Sequence, residues 1–168
     1  MYKQFKIALI NSDYCDYLRK FDDRVTYNFG AKKVRPYIGI LIRVNNMEYF
    51  APLSSPKEKH RTMKNRIDFI KIQDGDYGAI NFNNMIPVTK DNYKLIDFNS
   101  RIYSKKWTEL LTNQLRWLND HKKDILFKAE LLYKLYKYNN LSQNALKRCC
   151  NFILLEQKCE EYNKELIH

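Results

Sequence analysis

Through the first hundred residues, apolar positions fall in short runs broken by turn residues. FKIALI (5–10) is almost wholly apolar and predicts a strand. SDYCDYLRKFDD follows, with Tyr14, Tyr17, Leu18 and Phe21 at helical spacing and Asn11 or Ser12 as N-cap. Residues 22–34 carry Asp, Lys and Gly and predict a loop. In PYIGILIRVNNMEYFAPL two β-branched runs flank Asn45-Asn46, a pair that suits a tight antiparallel hairpin. IDFIKI, GAINF, MIPV and YKLIDF predict further strands, the last closing the sheet, with QDGDYG as a turn. Beyond residue 100 the period becomes helical. Trp107, Leu110, Leu111, Leu115, Trp117 and Leu118 mark one amphipathic helix. Ile125, Leu126, Leu132, Leu135 and Tyr136 mark a second, and Ser142 caps the first of one or two more.

This order predicts an α+β fold: an antiparallel sheet core partly wrapped by helices, with a helical C-terminal half. The chain reads as a single domain over 1–168, strand-rich over 1–100 and helical over 101–168, without internal repeats or low-complexity segments. Thirteen Tyr and nine Phe argue against disorder, and only four Gly and four Pro argue against long linkers. The two Trp read as core anchors.

Charge changes the picture most. Thirty Lys and Arg against nineteen Asp and Glu leave +11. Such a surplus points to a polyanion (nucleic acid, an anionic membrane or an acidic protein) or to a lysine-rich surface kept for solubility. Abundant Tyr favours RNA, because aromatic rings stack on unpaired bases. No run reaches the roughly 18 apolar residues of a membrane span. The opening MYKQFKIALINSDYC turns polar too soon for a signal peptide. Cys15, Cys149, Cys150 and Cys159 lack CxxC spacing and read as reduced, mostly buried thiols of a cytoplasmic protein with no metal site.

The densest chemistry is APLSSPK (51–57), placed where a strand should end. Pro56 restricts Ser55 to extended backbone, leaving its hydroxyl and nearby N–H groups in a loop. Lys57 follows, then Lys59, His60, Arg61, Lys64 and Arg66. Hydroxyls, amides and ammonium groups crowded together make a phosphate site. The alternative is that Ser55 caps a helix beginning near Lys57, with the basic residues as its solvated face. A second basic cluster, Lys32, Lys33 and Arg35, precedes the hairpin. Pairing about Asn45-Asn46 would bring Arg35 beside Ser54 and Ser55.

Several chemistries find no residues. His60, His121 and His168 are scattered, clustered carboxylates for magnesium are missing, and neither a Gly-rich phosphate loop nor GxSxG is present. Catalysis by this chain would be metal-free, without cofactor, and would rest on Lys, Arg, Ser and Tyr.

YIGI (37–40), EYFAPLSSPKEKH (48–60), AINFNNMIPV (79–88) and CNFILLEQK (150–158), in that order, resemble the ToxN/AbiQ family, the toxins of type III toxin–antitoxin systems. The resemblance spans nearly the whole chain. It implies a bent antiparallel sheet surrounded by helices, similar to MazF/Kid toxins. It implies a metal-independent endoribonuclease that cuts single-stranded, adenine-rich RNA, mRNA included, to 2′,3′-cyclic phosphate and 5′-hydroxyl ends. It implies inhibition by a small repeated pseudoknot antitoxin RNA in a closed protein–RNA assembly, with growth arrest and abortive infection by phage on release. The family's active-site hydroxyl pair falls on Ser54 and Ser55, its lysine on Lys57, its histidine on His60, its basic residue on Arg35 or Lys33, and a tyrosine on Tyr27.

On this basis Lys57 and Arg35 hold the phosphoryl oxygens, Ser55 and backbone N–H groups add hydrogen bonds, and Tyr27 or a lysine handles a proton. His60 either stacks on a base, positions its neighbours, or is a surface histidine. Lys32, Lys33 and the run from Lys57 to Arg66, with Lys105 and Lys106, line an RNA groove. Two readings stay open beside this one: a non-catalytic RNA- or DNA-binding regulator, and a scaffold for an acidic protein.

Overall fold

The computed structural model describes residues 3–27 and 35–167. Eight strands form one antiparallel sheet: β1 (Lys6–Ile10), β2 (Pro36–Gly39), β3 (Arg43–Val44), β4 (Met47–Ser54), β5 (Phe69–Lys71), β6 (Ala79–Asn81), β7 (Ile86–Val88) and β8 (Tyr93–Leu95). The main order is β5-β6-β4-β2-β1-β8, with β3 and β7 also pairing to β4. Six helices complete the α+β fold: α1 (Ser12–Arg19), α2 (Glu58–Thr62), α3 (Lys105–Asp120), α4 (Lys122–Lys137), α5 (Gln143–Arg148) and α6 (Phe152–Ile167).

β4 is the spine. Every one of its positions is buried. Its first half pairs with β3 and β7, its second with β2 and β6. The hairpin turns at Asn45-Asn46, where Asn45 takes φ 55°, a conformation Asn tolerates. Between the β3 and β2 ladders, Leu41 and Ile42 both face Tyr49. Leu41 N–H donates to Tyr49 O (3.0 Å), and Tyr49 N–H donates to Ile42 O (2.9 Å). Such a bulge bends the strand it occupies.

Helices cover the sheet through aromatic contacts. Tyr49 of β4 meets Phe152 of α6 edge-on at 5.9 Å and Tyr133 of α4 at 5.5 Å. Tyr14 and Tyr17 of α1 pack on Tyr162 at 5.1 and 4.9 Å. Asn11, not Ser12, caps α1, accepting from Asp13 N–H at 2.9 Å. Ser142 caps α5, and the last segment divides into two helices, α5 and α6. All four cysteines are buried and unpaired; burial pushes the Cys15 and Cys149 thiols up to about 12. β8 ends the main strand order at the sheet margin, paired among the described residues to β1. Among the described residues no helix is long and apolar enough to cross a membrane.

Candidate active site

The end of β4 and the start of α2 are built around one buried histidine. α2 begins at Glu58 with extended Lys57 as N-cap (φ −133°, ψ 150°). Ser55 therefore does not cap this helix, and its residue is exposed. His60 N–H donates to Lys57 O (2.9 Å), and Lys57 N–H donates back to His60 Nδ1 (3.2 Å). An Nδ1 that accepts belongs to a neutral ring with its proton on Nε2. His60 is only 2% exposed. Burial first, then Lys57 and Lys59, hold its pKa below the ordinary 6.5. Of the roles open to it, this geometry gives His60 that of a brace fixing the Lys57 backbone. It is not a surface histidine.

The Ser54 hydroxyl accepts from Asn81 Nδ2 at 2.7 Å and sits within the sheet opposite Ala79. Ser54 does not line the cavity that Ser55 faces. Gly78 (φ +92°) passes so close to Ser54 that a Cβ there would collide with the Ser54 carbonyl. This approach sets where β4 ends.

Arg35 stands just ahead of β2. The register Tyr37↔Pro52 and Ile38↔Ala51, carried two residues back, sets Arg35 opposite Ser54. Its Nη1 donates to Leu53 O at 3.4 Å.

The opposing wall comes from the start of α3. Ser104 caps the helix by accepting from Trp107 N–H at 3.2 Å. The Tyr103 and Trp107 rings pack 4.7 Å apart. One helical face further on, Gln114 Nε2 donates to Tyr77 O (2.8 Å) and Ser54 O (3.5 Å), while its Oε1 is buried without a hydrogen-bond partner. A cavity of about 410 Å³ lies between these parts, lined by Arg35, Ser55, Lys57, Tyr103, Trp107 and Gln114 over an apolar floor that includes Leu53 and Leu111. Among its described lining residues there is no Asp, Glu or His. The arrangement offers cations, a hydroxyl and two aromatic faces: the complement of a phosphodiester joined to a base.

Other predicted residues lie elsewhere. Tyr27 is exposed beneath the Arg19 guanidinium, 4.0 Å from its ring centroid, and is not part of the cavity lining. Lys32 and Lys33 fall outside the described residues. Lys59 and Lys64 are exposed. Arg61 pairs with Asp76 at 3.7 Å, and Arg66 lies 3.9 Å from Asp68. Fully buried Asp68 is held more tightly by Arg148, at 2.7 and 3.2 Å, a two-pronged clamp between the β5 region and α5. Lys105 pairs loosely with Glu109 at 4.0 Å, and Lys106 is exposed.

Tyr103, Trp107 and Gln114 were not singled out as site residues from the sequence. Trp107, read there as a core anchor, is half-buried at the cavity. One signal was available: Tyr103 and Trp107 bracket the capping Ser104, so two rings crowd a helix start.

Known proteins share this architecture. The family model described as Toxin ToxN, type III toxin–antitoxin system, matches residues 6–160. Endoribonuclease ToxN of Bacillus thuringiensis subsp. kurstaki is 31% identical, the match covering 95% of this chain and 84% of that protein. Endoribonuclease ToxN of Pectobacterium atrosepticum is 29% identical over 95% of each. A solved structure of AbiQ, a lactococcal anti-phage endoribonuclease of a type III system, superposes with a TM-score of 0.83 at 26% identity, over 96% of this chain and 99% of that one. Another, from work on selective toxin inhibition by a non-coding RNA pseudoknot, gives 0.81 at 30% identity, over 96% and 99%. A match over nearly the whole length, in sequence and in fold, settles the relationship: the chain belongs to the ToxN family of type III toxin–antitoxin toxins.

Proposed function

We propose that the chain is a metal-independent endoribonuclease that cuts single-stranded RNA between Arg35, Ser55 and Lys57, leaving 2′,3′-cyclic phosphate and 5′-hydroxyl ends. The observation that carries this reading is the meeting of those three side chains in one aromatic-walled cavity, in a chain whose relatives are endoribonucleases.

The substrate's own 2′-oxygen is the nucleophile. Its bond to phosphorus forms as the bond to the 5′-oxygen breaks; the 2′-hydroxyl gives its proton to solvent water and the departing oxygen gains one from the protein. The protein aligns these atoms and meets the charge that grows on the phosphoryl oxygens. Arg35 offers a fork of N–H donors and Lys57 a point charge. Lys57 also supplies the proton to the departing oxygen, a role that exposed Tyr27 is poorly sited to fill. Ser55 adds a hydroxyl donor, and the Trp107 and Tyr103 rings receive a base. A lining of cations and hydroxyls without carboxylates suits this charge-stabilising chemistry and offers a divalent ion no anionic ligand.

Inhibition follows from the same charge. A small repeated RNA folded as a pseudoknot, bound along exposed Lys59 and Lys64 and across the cavity mouth, would occlude the site in a closed protein–RNA assembly. Relatives described with a pseudoknot RNA inhibitor and with a processed RNA that regulates an antiviral system support this reading. Released toxin would then arrest growth during phage infection.

The test is incubation with a defined adenine-rich RNA in excess EDTA, followed by mapping of both ends. Cyclic phosphate and 5′-hydroxyl ends are expected. A product that needs divalent ions, or that carries a 5′-phosphate, overturns the mechanism. Binding without any cleavage leaves a regulator instead.

A further inference from the structure

A second cavity lies elsewhere in the sheet. About 900 Å³ in volume, it opens between β1, the β2–β3 segment, β8 and the start of α4. It shares no described lining residue with the Ser55 cavity. Both touch β4, but at opposite ends and on opposite sides. Glu48 and Phe50 line the larger one, Leu53 and Ser55 the smaller, and side chains alternate along a strand. Seven residues of strand at about 3.3 Å each separate Glu48 from Ser55 by roughly 20 Å.

Its chemistry is unusual for a groove in a basic protein. The rim carries exposed Lys3, Lys6, Arg43 and Lys90, while the Lys122 ammonium is buried 5.6 Å from the Phe5 ring centroid; the floor includes Leu41, Phe50 and Tyr93. The Phe50 and Tyr93 rings pack 4.6 Å apart. In the middle stands one carboxylate, Glu48, only 4% exposed. Tyr93 O–H donates to its Oε1 at 2.9 Å and fixes its orientation. Its Oε2 has no hydrogen-bond donor in good geometry. The neighbour on that side is Arg43 Nη2, 3.3 Å away, whose own side chain is 60% exposed. An ion pair with so solvated a partner is weak, and a buried acceptor that lacks a donor demands an explanation.

A carboxylate only accepts hydrogen bonds, so the missing partner is a donor. The four exposed cations repel an amine or a metal ion and attract an anion. A ligand that is anionic overall and presents two adjacent N–H donors on a flat apolar body matches both the cations and the paired oxygens of the carboxylate. Guanine alone among the RNA bases offers two neighbouring donors, N1–H and N2–H₂, on one edge. We propose that this cavity is a guanine-nucleotide subsite: Glu48 accepts from the guanine edge, Tyr93 and Phe50 pack beside the ring, and the rim lysines take the phosphate. Arg43 swings outward as the base enters. Free guanosine monophosphate and an unpaired guanosine within an RNA strand share this chemistry.

Binding of GMP, IMP and AMP to the intact protein tests it by calorimetry. GMP should bind at least about tenfold more tightly than AMP, with IMP, which lacks the 2-amino group, between them. Glu48→Gln should remove that ranking. Lys90→Ala, at an exposed position, should weaken all three alike and lower the salt slope by about one. A second arm uses 2′-O-methyl oligonucleotides, which cannot be cut, differing by one guanine-to-adenine change. A guanine preference in this arm alone identifies an RNA strand as the source; a preference in both admits the free nucleotide. Equal binding of guanine and adenine probes in both arms, no binding in either, or a guanine preference that survives Glu48→Gln overturns the proposal. The wild-type comparison decides even if Glu48→Gln fails to fold. Guanine binding without RNA cleavage would overturn only the endoribonuclease reading; cleavage without guanine preference would overturn only this subsite.

Discussion

The two ends of β4 present opposite electrostatic problems. At the Ser54 end, Arg35 and Lys57 line a cavity without any carboxylate among its described lining residues. At the Glu48 end one deeply buried carboxylate lines the same cavity as five cationic residues. On the two proposals made above, the same strand and the same basic chain supply one place for developing phosphoryl charge and another for discriminating a neutral base edge. Net charge by itself says only that a polyanion is welcome; the position of the acidic group separates transition-state stabilisation from recognition.

The sharpest way to break this contrast is at the Ser55 end. Ser55→Ala should lower the cleavage rate about a hundredfold, roughly 3 kcal/mol of lost transition-state stabilisation, and Lys57→Ala by at least as much. Both variants should fold, since both residues are exposed; single-turnover cleavage with a circular-dichroism control checks this. Undiminished killing of a bacterium that lacks the antitoxin would sink the assignment. Asp68→Asn should act on stability. It strips the clamp from Arg148 and should cost about 3 kcal/mol in urea unfolding. Trp107→Leu keeps apolar bulk but removes the ring, and should raise KM about tenfold while kcat changes less. An equal fall in kcat would assign Trp107 to alignment of the reacting atoms instead.

Smaller effects sharpen the picture. His60 has a lowered pKa in the folded chain, so folding prefers its neutral ring. Its contribution to stability is complete above the ordinary value of 6.5 and is lost as pH falls through that value toward the lowered one. Urea midpoints should therefore drop between pH 8 and pH 5. The drop should shrink in His60→Gln, whose amide oxygen can still accept from Lys57 N–H. Smallest of all, Lys59→Ala should reduce the salt dependence of RNA binding by about one counterion and leave the salt-extrapolated affinity nearly unchanged. A slope equal to that of the wild type would move the RNA path away from α2.

Local patterns carried much of this molecule. Asn45-Asn46 marked the hairpin, because few residues other than Gly accept a positive φ. Asn11 or Ser12 marked the start of α1, because short polar side chains satisfy free N–H groups there. Ser55 and Lys57 were legible as a loop chemistry because Pro56 constrains its neighbour whatever the fold. Arg35 was within reach too, since hairpin pairing relates the two ends of the ribbon by counting. His60, Ser54 and Tyr27 were less legible. A histidine in a basic run gives no sign that packing will bury it and turn Nδ1 to a backbone N–H. A serine next to another gives no sign of which one faces Asn81 across the sheet.

What the sequence determined by itself is therefore the class of the fold, the basic charge of the chain, and the local chemistry of 55–57; these depend on neighbours a few residues apart. Tertiary structure alone decided that α3, some fifty residues further on, would wall the Ser55 cavity with Trp107 and Gln114. It decided too that Glu48 would be buried among lysines brought from β1, β7–β8 and α4. Burial and charge environment are sums over groups distant in the chain, and residue spacing along a single strand or helix does not encode them.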